Sequence, residues 1–509
     1  MQNTILIAVI LGILAASVTR YFTQYRGKTA SLSQLPGPVP LPILGNVLSI
    51  NSKAPWMTFR KWGAAYGGIL KFRMFTSEII IINSLEYAKD LLVLRSSNYS
   101  SRPTAFYNEI TGADWNSVLF VHGDLWRLHR RILHQSFRSD AVAKYRPKQL
   151  EKAHQLLFNV LNNPENFKDH LFQFSSSAIL SALYDYDVAV GDPLIRTVEK
   201  WNQLALTLMT PQADAINRLF PFLMYIPSWF PGMPPKRKAV VLGEYKSIWM
   251  ETPFKHATKK IAEGTAHPSM VYELQEHISR SDDTESMRNA GTAFFAASET
   301  SASVLHVFIL AMVLYPDVQA RAREAIDSVV GTTRLPTFED RSSLPYLDAI
   351  MRETLRWNPI APLGVAHVTE RDDVYQGYHI PKGSTIYPNI WAMTHDETMY
   401  PNPFEFQPER FLTADGELTD DTVNVVFGFG RRVCVGRYFA DASVWIAITL
   451  LLATFEFQKP VDPNGQDVDV VPEFTSGITS QPVPFSCRIV SRIPGMNTDK
   501  LMHMLDARA

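Results

Sequence analysis

The sequence predicts a mainly α-helical protein with small β-sheets, and three observations carry that expectation. Residues 290–315 form an apolar run of helical length, Pro316-Asp317 then opens a further helix, and most of the long middle keeps a helical period. Hydrophobic residues make up 46% of the 509 residues and charged residues 19%, enough apolar side chains for one large core. Strand signals are short and punctuated by turn residues, as in residues 68–83 and 374–391. No Gly/Ser linker, repeat or low-complexity tract divides the chain, so residues 47–509 are expected to form a single domain.

Residues 4–18 carry no charge, and residues 1–22 are expected to be a short membrane anchor in which Arg20 snorkels to the interface. A cleaved signal peptide is the rival reading, but the first four residues lack its basic region. The positive charges follow the apolar run, at Arg20, Arg26 and Lys28, which leaves the rest of the chain on the cytosolic side. Residues 23–46 form a basic and proline-rich hinge whose prolines, from Leu35-Pro36-Gly37-Pro38 onward, stiffen an extended path. Residues 68–74 and 78–83 suggest a hairpin, and a helix follows from Ser84. Gly123-Asp124 starts another helix, on which a four-residue step puts Trp126 and Arg130 on one side. Arg127, His129, Arg131 and His134 make this helix basic, either as a solvated face or as a docking surface for an acidic partner.

Ser281 to Thr284 caps the long apolar helix, into which Ala296-Ala297-Ser298-Glu299-Thr300-Ser301 introduces an acid and hydroxyls. Thr300 either bonds the carbonyl one turn back or takes part in proton transfer with Glu299. Glu353 and Arg356 share one face of the helix expected over residues 344–357. His306 is read as ordinary packing. The net charge of −1 offers no electrostatic footprint for nucleic acid. Two cysteines, Cys434 and Cys487, make neither a disulfide framework nor a zinc site, and Cys487 is read as an inert core thiol.

Cys434 lies in Phe427-Gly428-Phe429-Gly430-Arg431-Arg432-Val433-Cys434-Val435-Gly436, just before a helix expected from Arg437. A cysteine there meets backbone N–H groups and the positive end of a helix dipole, which favour the thiolate, while Gly430 and Gly436 allow sharp turns and close approach. A buried structural cysteine in a Gly-rich turn is the alternative. The segment resembles the haem-binding loop of a cytochrome P-450, and the resemblance covers residues 35 to about 492. It implies a helical prism around haem b, with Cys434 as axial thiolate ligand to the iron. It also implies that Trp126, Arg130, His367 and Arg432 reach the haem propionates, and that Glu353, Arg356 and Arg410 form a structural triad beneath the haem. The same resemblance makes Glu299 and Thr300 the proton-delivering pair, with Ala297 where the family carries glycine.

Because no Gly-x-Gly-x-x-Gly follows a strand, electrons are expected from a partner, an NADPH-cytochrome P-450 reductase. The resemblance places the protein on the endoplasmic reticulum membrane with its catalytic domain in the cytosol. Phe294 to Ala297, residues 361–366 and residues 475–479 are expected to wall a dry pocket for dioxygen and a lipophilic small molecule. Residues 220–233 are expected either to touch the bilayer beside a substrate entrance or to cap that pocket. The ending is similar to fungal secondary-metabolism members of the O-methylsterigmatocystin oxidoreductase type, which implies oxidation of a terpenoid, polyketide or alkaloid. Rival readings are a haem-thiolate isomerase or dehydratase that needs no external electrons, and a non-catalytic haem sensor or electron carrier.

Overall fold

The computed structural model describes residues 33–75, 77–103, 115–189, 191–208, 226, 234–277 and 283–506. The expected anchor, the first part of the hinge, the residues 281–282 of the expected cap and nearly all of residues 220–233 lie outside that set. The proline-rich stretch begins at strand β1 (Ser33–Gln34) and runs along the sheet edge. Gly45, with φ +66°, permits that approach, because a Cβ there would sit 2.3 Å from the Arg73 carbonyl oxygen. Asn46 Oδ1 then accepts from the Arg73 N–H at 2.9 Å. Helix α1 (Pro55–Tyr66) leads into the hairpin β2 (Ile69–Met74) and β3 (Ser77–Ile82), paired antiparallel from Ile69 opposite Ile82 to Met74 opposite Ser77. A short helix, Leu85–Ala88, follows, and its N-cap Ser84 accepts from the Tyr87 N–H.

The helical body comprises α2 (Asp124–Phe137), α3 (Arg146–Asn162), α4 (Phe167–Tyr184), α5 (Pro193–Leu208), α6 (Pro234–Ala262), α7 (Met270–His277), α8 (Asp283–Leu314), α9 (Pro316–Val330), α10 (Pro345–Trp357) and α11 (Arg437–Thr454). Helix α8 starts at least a turn before the apolar run that announced it, and packs along α4 and against α10 and α11. Residues 304–313 of α8 and 444–453 of α11 are buried, with the exposure of most at 0–3%. Both helices are apolar and long enough to cross a membrane, yet most of each is covered by the protein itself, so they are core helices of the body.

Between α10 and α11 the turn-rich stretch forms β4 (His367–Val368), β5 (Asp373–Tyr375), β6 (Tyr378–Ile380) and β7 (Thr385–Pro388). Its end is helical, not extended: Asn389 caps a turn, Ile390–Thr394, by accepting from the Ala392 N–H. The sheets are ordered β1-β6-β5 and β2-β3-β7-β4, and β8 (Phe455–Gln458) pairs with β9 (Arg488–Ser491). Cys487 precedes β9, packs against the main core, and has its thiol pushed up to about 12 by burial.

Candidate active site

The cysteine loop is held from one side and open on another. The Cys434 N–H donates to the Phe427 carbonyl at 2.7 Å. Gly430, with φ +54°, lies so close to the adjoining turn that a Cβ would stand 2.0 Å from the Leu92 carbonyl oxygen. Gly436 differs: its φ of −85° suits any residue, and no heavy atom lies within 4 Å of where its Cβ would be. Its side-chain position therefore faces free space. The cysteine is accessible although protein surrounds it on all sides, the combination expected for the wall of an internal cleft. Burial raises the thiol above its ordinary value and outweighs the Gly436 N–H, Arg130 and Arg437, which favour the anion. The helix start alone thus does not make a thiolate; an adjacent metal cation would reverse that balance.

The same cleft carries a concentration of positive charge. Arg432 donates from Nε to the Ser100 carbonyl at 2.7 Å and from one terminal nitrogen to the Phe120 carbonyl at 2.6 Å. Its guanidinium lies 4.2 Å from the centre of the buried Trp126 ring. Burial pushes Arg432 down to about 8, and Arg102 and Arg130 add repulsion that Glu370 offsets only in part. Arg130 is lowered by burial and interacts with Cys434, which ties the thiol and the arginines to one cleft. Arg102 donates to the Val365 and Ala366 carbonyls at 2.7 and 2.8 Å. His367, on β4, is buried, and its Nδ1 donates to the Tyr99 carbonyl at 2.7 Å. Burial, then Arg102, holds its pKa well below the ordinary value, so the ring is neutral with its proton on Nδ1. A cleft with excess guanidinium charge, an aromatic wall and a thiol beside open space fits a flat dianionic metal macrocycle such as haem.

Behind this wall Glu353 and Arg356 are both fully buried. Arg356 grips the carboxylate bidentately at 2.6 and 2.8 Å, Arg410 Nε adds a bond at 3.2 Å, and the Gln407 N–H donates at 2.7 Å. The spare Arg356 donors go to the Thr394, Pro403 and Glu405 carbonyls.

On α8 the hydroxyls of three residues take up successive backbone carbonyls. Ser298 donates to Phe295 at 3.3 Å, Thr300 to Ala296 at 2.8 Å, and Ser175 of α4 to Ala297 at 2.9 Å. Thr300 thus makes the local helix bond that was its alternative reading. Glu299 is pushed up to about 7 by burial, with Glu199 adding to the rise and Lys168 opposing it.

The sequence model of the cytochrome P450 family matches residues 35–487. The chain belongs to the cytochrome P450 family. It is 37% identical over 468 residues to cytochrome P450 monooxygenase ple1 of Rhodocybe pseudopiperita, covering 90% of this chain and 89% of that protein. It is 35% identical over 506 residues to tryptamine 4-monooxygenase of Psilocybe cyanescens, covering 96% and 98%. A third relative, cytochrome P450 monooxygenase 208 of Postia placenta, is 36% identical over 484 residues, covering 93% and 94%. The protein is a P450 monooxygenase, of a family that binds haem iron through a cysteine thiolate.

Within this P450 the basic helix α2 is divided. Arg127, Arg131 and His134 are exposed, but His129 is fully buried and its Nε2 lies 2.6 Å from Glu285 on α8, so it belongs to no docking face. Two participants escaped the sequence reading. Arg102 sits in Ser101-Arg102-Pro103, and its carbonyl partners are Val118, 16 residues on, and Val365 and Ala366, more than 260 residues on, so no local pattern marks it. Ser175 is one of three consecutive serines on α4, and nothing nearby distinguishes the one that reaches Ala297.

Proposed function

We propose that the protein is a membrane-anchored haem-thiolate monooxygenase that inserts one oxygen atom from dioxygen into a lipophilic small molecule of fungal secondary metabolism. Residues 1–22 anchor it in the endoplasmic reticulum membrane, 23–46 form the hinge, and 47–509 are one catalytic domain facing the cytosol. An NADPH-cytochrome P-450 reductase supplies the electrons. The substrate is a terpenoid, polyketide or alkaloid, and the likeness to tryptamine 4-monooxygenase supports the alkaloid branch. The observation that carries this reading is the cleft in which Cys434 and the Arg102, Arg130 and Arg432 guanidiniums meet.

Haem, when bound, supplies the dioxygen chemistry, and a thiolate ligand favours O–O scission. Cys434 would hold the iron, and Arg102, Arg130, Arg432 and Trp126 would receive the propionates. His367, neutral with its Nδ1 proton committed to Tyr99, would join them as a donor only where a bound propionate draws a second proton onto Nε2. Glu299, poised near neutrality, would give a proton to the Thr300 hydroxyl as that hydroxyl releases its own toward dioxygen in the cleft, and would then be reprotonated from solvent. The Glu353, Arg356 and Arg410 triad holds the frame behind the cleft. The expected result with a fungal reductase is NADPH consumption that depends on an added lipophilic substrate and yields a hydroxylated product. Thr300→Ala should divert most of those electrons to hydrogen peroxide; full coupling in that variant contradicts its role. Turnover without NADPH would instead indicate an isomerase or dehydratase.

A further inference from the structure

Glu299, Ser303 and His306 stand at i, i+4 and i+7 on α8, which puts three polar side chains on one face of that helix. His306 is 2% exposed, and neither of its ring nitrogens has a protein hydrogen-bond partner among the described residues. The same is true of Ser303 Oγ and of Asn202 Oδ1 on α5. Leaving such a group unsatisfied costs about 1–3 kcal/mol, and the three residues that carry these four atoms line one cavity, where water can serve them together. That cavity, of about 60 Å³, is also lined by Glu299 and Gln481, and its rim includes the exposed Lys168, Asp169 and Gln203 and the half-buried Glu199. One water takes roughly 30 Å³ of the liquid, so the space suits about two.

The ring of His306 is fixed for such a role. Phe485 stacks on one face at 5.1 Å and 11°, and Phe167, 5.8 Å from the imidazole and 5.6 Å from Phe485, packs beside it at a tilt. Burial, with Lys168, lowers its pKa to about 3, so at neutral pH it offers one N–H donor and one acceptor.

We propose that this cavity is a hydrated proton inlet, in which water held by His306, Ser303 and Asn202 connects the solvent at Lys168 and Asp169 with the Glu299 carboxyl. Each passage moves one proton inward to replace the one Glu299 releases; no electron moves and no bond between heavy atoms changes. The inlet rests on the reading of Glu299 as proton donor. Its test uses the full-length haem-loaded protein and infrared spectroscopy of the protonated Glu299 carbonyl, identified by its loss in Glu299→Gln. In Ser303→Ala and in His306→Leu the band should move to higher frequency as hydrogen bonds are lost, and its exchange in D2O should slow roughly tenfold. A high-resolution crystal structure of the unaltered protein should hold ordered water between His306 and Glu299. An unchanged band and exchange rate in both variants, or a dry cavity in the crystal, overturns the inlet. The two readings separate cleanly: if Glu299→Gln stays fully coupled, the donor fails and the inlet with it. If Glu299→Gln uncouples while neither cavity variant alters the band, the inlet alone fails.

Discussion

At Glu353 two guanidiniums share one carboxylate, and each remaining Arg356 donor ends on a backbone carbonyl. At the Cys434 cleft Arg102 and Arg432 also meet carbonyls, but the described residues place no carboxylate within bonding distance of Arg130 or Arg432, and burial with repulsion from neighbouring arginines depresses both. The Glu353 cluster thus carries a carboxylate that offsets part of its charge, whereas Arg130 and Arg432 have none bonded to them among the described residues, as a site for a bound anion would. Charge balance therefore separates a structural cluster from a binding one, although both consist of arginines packed into the same body.

The largest expected effect comes from breaking the balanced side. Glu353→Ala strands two desolvated guanidiniums and should destabilise the protein by about 3–5 kcal/mol, seen as lost haem content and a lowered Tm. Normal haem content in that variant removes the structural role. On the unbalanced side the sign should depend on haem. Arg432→Gln relieves repulsion and should leave the haem-free chain equally or more stable, while haem loss to an acceptor protein speeds up by roughly tenfold, the worth of about one charge-assisted bond. If both forms lose stability together, the two clusters do not differ in kind.

Glu299 is a carboxyl with no cation bonded to it among the described residues, which makes it an intermediate case. Its pKa in the fold is raised to about 7, so between the ordinary carboxylate range and 7 the folded chain binds more protons than the unfolded one. Stability should fall as pH rises through that window. Glu299→Gln should flatten the slope and gain on the order of 2 kcal/mol at pH 8 relative to pH 5, read from paired unfolding curves. An unchanged slope would mean the carboxyl is solvated. The smallest effect belongs to the exposed part of α2. Arg131→Ala should slow reduction by the reductase only a few-fold, less so at high salt, since an exposed charge contributes under about 1 kcal/mol. Reduction that ignores both changes would move the docking face elsewhere.

What could be read beforehand follows from where each partner lies in the chain. The cysteine loop was legible because its glycines, arginines and cysteine sit in ten consecutive residues, although the backbone that crowds Gly430 is that of Leu92, far upstream in the chain. The pairing of Glu353 with Arg356 needs only three-residue spacing. His129 was misplaced because helical position cannot say which side α8 will cover, and Glu285 comes to it from 156 residues downstream. Residues 374–391 read as strand to the end, but Asn389 can cap, and tertiary packing made its successors a helical turn. His306 was read as packing; only the fold shows that its neighbours leave both nitrogens bare beside Glu299.

The central claim is that the sulfur of Cys434 ligates haem iron as a thiolate, and the ferrous carbon monoxide spectrum of the purified protein tests it most directly. The account predicts the strongly red-shifted Soret band of a thiolate-ligated haem, and its absence in Cys434→Ala. A Soret band without that shift in the unaltered protein, or the same spectrum in Cys434→Ala, would contradict it.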